Sequence, residues 1–217
     1  SGLVGSEMCI RDRYKDVLSD TPFKNFKILK SGEWETAKKL LESGEFYIQD
    51  PSTSFAPSLL NPKFGEIVLD LCASPGGKSR FCADLIRESA NFDEEKSRSS
   101  TLVSVDIPGP RICNLRENIS KIDFLKTYVL EADLNSEKLA KKLESRGLPL
   151  KFDCVLLDAP CSNTGVLRRR PDARYRLSEG DIAKSADFQK KLISKASEFV
   201  RPGGRLVYST CSIEPEE

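Results

Sequence analysis

Histidine is absent from the 217 residues. That absence removes Ser-His-Asp and Cys-His catalysis, and every imidazole-based metal site with them. Chemistry in this chain must run on Asp, Glu, Lys, Cys, Tyr or the backbone. No Cys-x-x-Cys pair occurs among the seven cysteines, which are Cys9, Cys72, Cys82, Cys113, Cys154, Cys161 and Cys211, so no metal is expected. Their odd number and wide spacing suit reduced, mostly buried thiols of a cytoplasmic protein better than a disulfide framework. No apolar run approaches the roughly 18–20 residues that span a bilayer, and no long apolar leader stands at the N-terminus. No membrane partner is expected. An excess of one charge is missing too, with 34 Lys and Arg against 33 Asp and Glu. Any surface for nucleic acid has to be local.

What is present suits one α/β domain with a short appendage, since 39% hydrophobic residues can fill a single core. Residues 1–13 show no sustained period and are set apart as a tail. Residues 14–66 read as an accessory segment, with Val17, Leu18, Phe23, Phe26, Ile28, Leu29 and Trp34 ahead of a short predicted helix at 35–42 that Gly44 stops. Over 67–217 strands and helices alternate. Short apolar runs predict strands at 67–72, 102–106, 127–131, 153–158 and 205–210. Helical spacing predicts helices at 78–88, 110–122, 136–146 and 178–201, the last with Phe188, Leu192, Ala196 and Phe199 inward. The polar run 90–100 predicts a flexible surface insertion. The alternation predicts a Rossmann-like fold, a mostly parallel sheet with helices on both faces.

In such sheets ligands bind outside the carboxyl ends of the strands. Five strand ends each deliver a polar or thiol group there. The first runs into Cys72-Ala73-Ser74-Pro75-Gly76-Gly77-Lys78, the second ends in Asp106, and Asp133 follows the third. The fourth ends in Asp158-Ala159-Pro160-Cys161, the fifth in Thr210-Cys211. Paired glycines let backbone approach a ligand, and the helix that follows offers free amide donors. Asp106, 29 residues after Gly77, can accept from both hydroxyls of a ribose; the usual gap is about 20, and the polar insertion accounts for the excess. Together these features favour a nucleoside-containing cofactor, although Gly-x-Gly-x-x-Gly is not met. Cys161 and Cys211 follow neighbouring strand ends, so both thiols should face one cleft.

LDLCASPGGKS, VLLDAPCSNTGVLRRRPDARYR and GGRLVYSTCSIEPEE resemble three motifs of the RNA 5-methylcytosine methyltransferases, a family that includes bacterial 16S ribosomal RNA enzymes and Nop2/Sun-related proteins. The resemblance runs from about Phe46 to Glu217. It implies S-adenosyl-L-methionine as cofactor, held by Cys72, Ala73, Ser74, Pro75, Gly76, Gly77, Lys78 and Asp106, with Asp133 and Asp158 lining the same site. It implies that Cys211 is the nucleophile and that Cys161 assists product release. Two thiols also make sense chemically. Carbon 5 of cytosine is a poor nucleophile until a thiolate adds at carbon 6. An acid such as Asp158 can meet the charge that develops at ring nitrogen 3.

Directly after Cys161 come Arg168, Arg169, Arg170, Arg174 and Arg176 around Tyr175, the clearest basic patch, read here as RNA phosphate contacts. RNA presenting a single-stranded or flipped cytosine is the partner expected. The chain ends just after the fifth strand, where this methyltransferase sheet usually adds two more, so C-terminal strands are expected to be missing. Two other functions fit the fold, a methyltransferase acting on another target and a non-catalytic RNA-binding or assembly factor. Amino-methyltransferases typically carry Asn/Asp-Pro-Pro-Tyr/Phe where this chain has Asp-Ala-Pro-Cys.

Overall fold

The computed structural model describes residues 2–4, 16–23, 25–42, 46–167 and 178–217. Four short strands come first, β1 (Gly2–Val4), β2 (Leu18–Asp20), β3 (Phe26–Leu29) and β4 (Tyr47–Gln49), with α1 (Trp34–Glu42) ahead of β4. They form an antiparallel sheet in the order β2-β3-β1-β4. Here the structure differs from the sequence reading, which set residues 1–13 apart, because Gly2–Val4 pairs with both β3 and β4. Three residues are too few to show an alternation, so only the pairing reveals this strand. Ala37 and Leu40, one helical turn apart on α1, are buried, and Leu40 packs with Leu18 and Phe46. The small sheet docks on the rest of the protein through Phe26, stacked on Phe81 at 5.9 Å. The Tyr47 hydroxyl donates to Asp84 at 3.3 Å, with the Arg80 guanidinium over its ring.

A short 3₁₀ turn (Pro51–Ser54), capped by Asp50, leads into α2 (Phe55–Leu60). Then follow β5 (Ile67–Leu71), α3 (Gly77–Ser89), α4 (Glu94–Ser97), β6 (Thr101–Asp106), α5 (Arg111–Ser120), β7 (Lys126–Glu131) and α6 (Lys138–Ser145). The series closes with β8 (Phe152–Asp158), a 3₁₀ turn (Thr164–Val166), α7 (Glu179–Ser197) and β9 (Val200–Ser209). The five later strands form one parallel sheet in the order β7-β6-β5-β8-β9.

The strands are apolar on both faces, as a sheet covered on both sides requires. Val68, Leu102, Cys154 and Leu156 face one layer, built with α2 (Ala56, Leu60), α3 (Cys82, Ala83, Ile86) and α5 (Ile112, Leu115, Ile119). Leu69, Leu71, Val103, Val105, Val155 and Leu157 face the other, built with α6 (Leu139, Leu143) and α7 (Leu192, Ala196). Each fully buried leucine contributes about 1.5–3 kcal/mol relative to exposure, so the strand ends rest on a firm base.

Three further expectations need correction. Residues 90–100 are not a loose insertion, because α4 forms there with Asp93 accepting the Lys96 N–H at 3.1 Å. Ser97 and Ser100 are buried, and the Ser100 hydroxyl accepts the Gly65 N–H at 2.8 Å. The polar side chains bond to backbone there instead of to water. Phe188 is not inward but 45% exposed, while Leu192 and Ala196 on the same helix are buried. Cys113, expected among mostly buried thiols, is exposed on α5.

Candidate active site

The main sheet begins at its centre with β5, runs outward through β6 to β7, then returns to β8 and β9 on the other side. That reversal opens a crevice at the carboxyl ends of the strands. A cleft of about 690 Å³ lies there, large enough for a nucleoside-sized ligand. Cys72, Ser74, Lys78, Asp106, Asp133, Asp158, Cys161 and Cys211 all line it. The other expected turn residues, Ala73, Pro75, Gly76 and Gly77, shape the backbone behind it.

The wall at the ends of β5, β6 and β7 is made chiefly by main chain. Cys72 takes a left-handed conformation with φ 60° as β5 ends, and the Ala73 N–H crosses to the Val105 carbonyl at 3.0 Å. Gly76 stands at the N-terminal cap of α3 with φ 105°. A Cβ there would come within 3.1 Å of Leu115 Cδ1, so side chain and conformation both call for glycine. Asp106 accepts the Ser74 and Ile107 N–H groups, each at 2.7 Å. Asp133 accepts the Asn135 N–H at 2.9 Å in a turn of its own. Burial first, and then the Asp106 carboxylate, push the Cys72 thiol up to about 12, so Cys72 stays protonated and serves as wall.

The wall at the ends of β8 and β9 is made by side chains. Cys161 Sγ and Cys211 Sγ lie 3.1 Å apart. The Cys211 thiol also lies 3.1 Å from Asn163 Oδ1, whose amide nitrogen donates to the Cys161 carbonyl at 2.9 Å. The Gly165 N–H donates to the Cys211 carbonyl at 2.9 Å, and a Cβ on Gly165 would come within 2.7 Å of that oxygen. A glycine is therefore what lets the two turns close on each other. The hydrogen bond from Cys211 lowers Cys161 to about 7, and the same bond, with burial, pushes Cys211 well above the ordinary thiol range. Two sulfurs at this distance share one proton between them and titrate as a pair. Lys78 Nζ pairs with Asp158 Oδ2 at 2.5 Å, and the Ser209 hydroxyl donates to Asp158 Oδ1 at 2.9 Å. The Lys78–Asp158 pair bridges the two walls.

Arg168, Arg169, Arg170, Arg174 and Arg176 lie outside the described residues. Sequence reasoning passed over Asn163 and Gly165, although both stand inside the motif that carries Cys161. It also passed over Phe55 and Ile213 and assigned Phe188 to the core, although all three are exposed apolar residues on the cleft rim. Helical or strand periodicity would have assigned them to a core or left them unremarked.

Residues 57–217 match the model of the family described as 16S rRNA methyltransferase RsmB/F. The chain belongs to the RsmB/F family. Ribosomal RNA small subunit methyltransferase B of Shewanella oneidensis is 35% identical over 178 residues, covering 82% of this chain and 37% of that protein. This RsmB/F chain thus spans little more than a third of such relatives. Among solved structures, a methyltransferase homolog protein from Pyrococcus horikoshii superposes with a TM-score of 0.75 at 28% identity, covering 99% of this chain and 65% of that one. NSun6 from Pyrococcus horikoshii with SFG has a TM-score of 0.65 at 30% identity, covering 82% of this chain and 41% of that one. The Rossmann-like fold read from the sequence is the fold these structures share. Among the described residues, no helix is long and apolar enough to cross a membrane.

The cleft of this RsmB/F chain also fits a nucleoside cofactor. Ser74 Oγ is shielded from solvent with no hydrogen-bond partner. Shielded polar atoms call for a partner, and this one stands in the turn that lines the cleft. Asp106 stands at the adjacent strand end, as a ribose acceptor does in doubly wound sheets.

Proposed function

We propose that the protein methylates carbon 5 of cytosine in RNA, ribosomal or transfer, with S-adenosyl-L-methionine as donor and a transient covalent bond from Cys211 to carbon 6. The observation that carries this reading is the pair of sulfurs 3.1 Å apart in the same cleft as Asp106 and the Gly76 turn. A relative solved with SFG, an analogue of S-adenosylmethionine, supports the cofactor, and a curated relative named for ribosomal RNA supports the substrate class.

S-adenosylmethionine supplies an electrophilic methyl group on a sulfonium. The turn from Cys72 to Lys78 and the carboxylates of Asp106 and Asp133 would hold it, with Asp158 closing the site. Cys211 passes its thiol proton to the Cys161 thiolate 3.1 Å away and forms a bond to carbon 6, and the electron pair of the 5,6 double bond moves so that carbon 5 becomes nucleophilic. The charge that develops on the ring is negative, so the Lys78 ammonium meets it directly, and its partner Asp158 meets it only in protonated form, as an acid at ring nitrogen 3. Carbon 5 takes the methyl group. Its proton then leaves to a water that Cys161, now protonated, positions, the bond to Cys211 breaks, and the double bond re-forms. The base has to leave its stack to reach the cleft, which favours single-stranded or flipped cytosine. The arginines at 168, 169, 170, 174 and 176 are the RNA-phosphate contacts of this reading.

Incubation with labelled S-adenosylmethionine and bulk RNA, then nucleoside analysis, tests it. The expected product is 5-methylcytidine. Cys211→Ser abolishes transfer and leaves cofactor binding intact, whereas Cys161→Ser accumulates an RNA–protein adduct. Label on an exocyclic nitrogen, or a Cys161→Ser variant that releases product like the wild type, would overturn the assignment.

A further inference from the structure

Glu217 reaches into the two cysteine turns from outside them. Its carboxylate accepts the Ser162 N–H at 2.9 Å on one oxygen and 3.3 Å on the other, and accepts the Ser162 hydroxyl as well. The Gln189 amide nitrogen donates to the carboxylate at 3.0 Å and to the Pro160 carbonyl at 2.9 Å. Ser162 directly follows Cys161, and Ser212 directly follows Cys211. Their hydroxyls lie 3.1 Å apart, and Thr164 Oγ1 lies 3.1 Å from Ser212 Oγ. From β9 the Tyr208 hydroxyl lies 2.9 Å from Gln189 Oε1 and 2.9 Å from the Glu217 carbonyl.

One carboxylate thus joins the end of β8, the end of β9 and α7. Ser162 and Gln189 are 5% and 2% exposed, so bonds from their donors are costly to leave unmade, while the Glu217 carboxylate that accepts them is only part-buried. Burial opposes the charge on Glu217, but the bonds from Ser162, Ser212 and Gln189 outweigh it and hold the carboxyl below its ordinary value. Glu217 lies 55 residues from Ser162 in sequence, and it touches neither sulfur.

We propose that Glu217 is a positioning residue that clamps the Cys161 turn to the Cys211 turn and so fixes the distance across which the two sulfurs act on one bound base. Its importance for the reaction rests on the cytosine reading above, while the clamp itself can be tested without RNA. The contact with Cys211 is the largest influence on Cys161 and the Glu217 charge a lesser one, and the two act in opposite directions. Losing the clamp therefore raises the pH at which Cys161 ionises, whereas losing the charge alone does not.

The test follows alkylation of Cys161 and Cys211 by iodoacetamide against pH in the full chain, each site resolved by mass spectrometry. Glu217→Ala moves the Cys161 midpoint upward by about one pH unit, toward an ordinary thiol. Glu217→Gln keeps an acceptor for the Ser162 N–H, and its midpoint does not rise. Ser162→Ala removes only the hydroxyl bonds and gives a smaller rise, which decides the matter if Glu217→Ala fails to fold. In single-turnover methylation Glu217→Ala is slower by about tenfold or more with unchanged cofactor affinity, as small misplacements of reacting groups produce. Glu217→Gln restores most of that rate. Midpoints that stay put in all three variants, or fall in both Glu217 variants, overturn the clamp. Expected alkylation in a protein that methylates no RNA would instead overturn the cytosine reading and leave the clamp standing.

Discussion

The wall of the cleft at β5, β6 and β7 and the wall at β8 and β9 are built by different means. At the first, main-chain groups carry the geometry: the Ala73 and Ser74 N–H groups, the glycine at φ 105°, and a carboxylate that accepts two amides. The strands beneath are sealed on both faces by apolar layers. At the second, the sulfurs are held by side chains that reach across turns about fifty residues apart, through Asn163, Ser162, Ser212, Gln189 and Glu217. A wall made of backbone over a packed core fails only when the core does. A wall made of side-chain bonds can lose alignment by fractions of an ångström while the fold survives. Away from the Lys78–Asp158 pair that spans them, the two halves should therefore break separately.

The largest effect is expected at Asp106. Asp106→Ala removes the acceptor for the Ser74 and Ile107 N–H groups and the proposed ribose contact. Hydrogen bonds to charged groups are worth about 1.5–3 kcal/mol, so S-adenosylmethionine should bind roughly 10–150-fold more weakly. Equilibrium dialysis reads this. Alkylation of Cys161 and Cys211 should be unchanged, and a shift in their reactivity would mean that the walls are coupled after all.

The opposite break is Gly165→Ala. The new Cβ would stand 2.7 Å from the Cys211 carbonyl oxygen, a main-chain atom with little room to retreat. The turns must separate, and with them the sulfurs. Turnover should fall by about tenfold, while cofactor affinity holds. A variant with normal turnover would show that the 161–165 loop adapts without moving Cys161.

The same contrast explains how much was legible in the sequence. The first wall could be read because its determinants are local: an apolar run, a glycine pair, then an acid at the next strand end. The sulfurs could be paired in advance because both follow neighbouring parallel strands. Glu217 and Gln189 could not, since the contacts that join them to the Cys161 turn and to each other are made 28 to 55 residues away. Phe188 was misplaced because helical spacing alone does not tell a core-facing residue from one at the mouth of a cleft. Residues 94–97 hid a helix behind polar composition, because serine and aspartate bond to backbone as readily as to water.

The smallest effect is expected in the core beneath the first wall. Asp70 is fully buried, and one of its oxygens accepts from the Ser79 hydroxyl, itself 2.9 Å from the Ser104 hydroxyl. Burial raises this carboxyl to about 7 from an ordinary 3.8. The folded protein therefore holds the Asp70 proton more tightly than the unfolded chain does. That contribution is complete below the unfolded value and is lost as pH rises through the folded one. Asn at this position carries no charge to desolvate. Relative to the wild type, Asp70→Asn should thus gain on the order of 1 kcal/mol between about pH 6 and about pH 8, at about 1.4 kcal/mol per pKa unit. Urea unfolding at the two pH values measures it. Cofactor affinity and thiol alkylation should both stay as they are, because the change acts on the support of the first wall and not on its alignment. A stability difference that stays flat with pH would mean that Asp70 is ionised throughout, and a buried charge under this wall would have to be answered by the Lys78 ammonium above it.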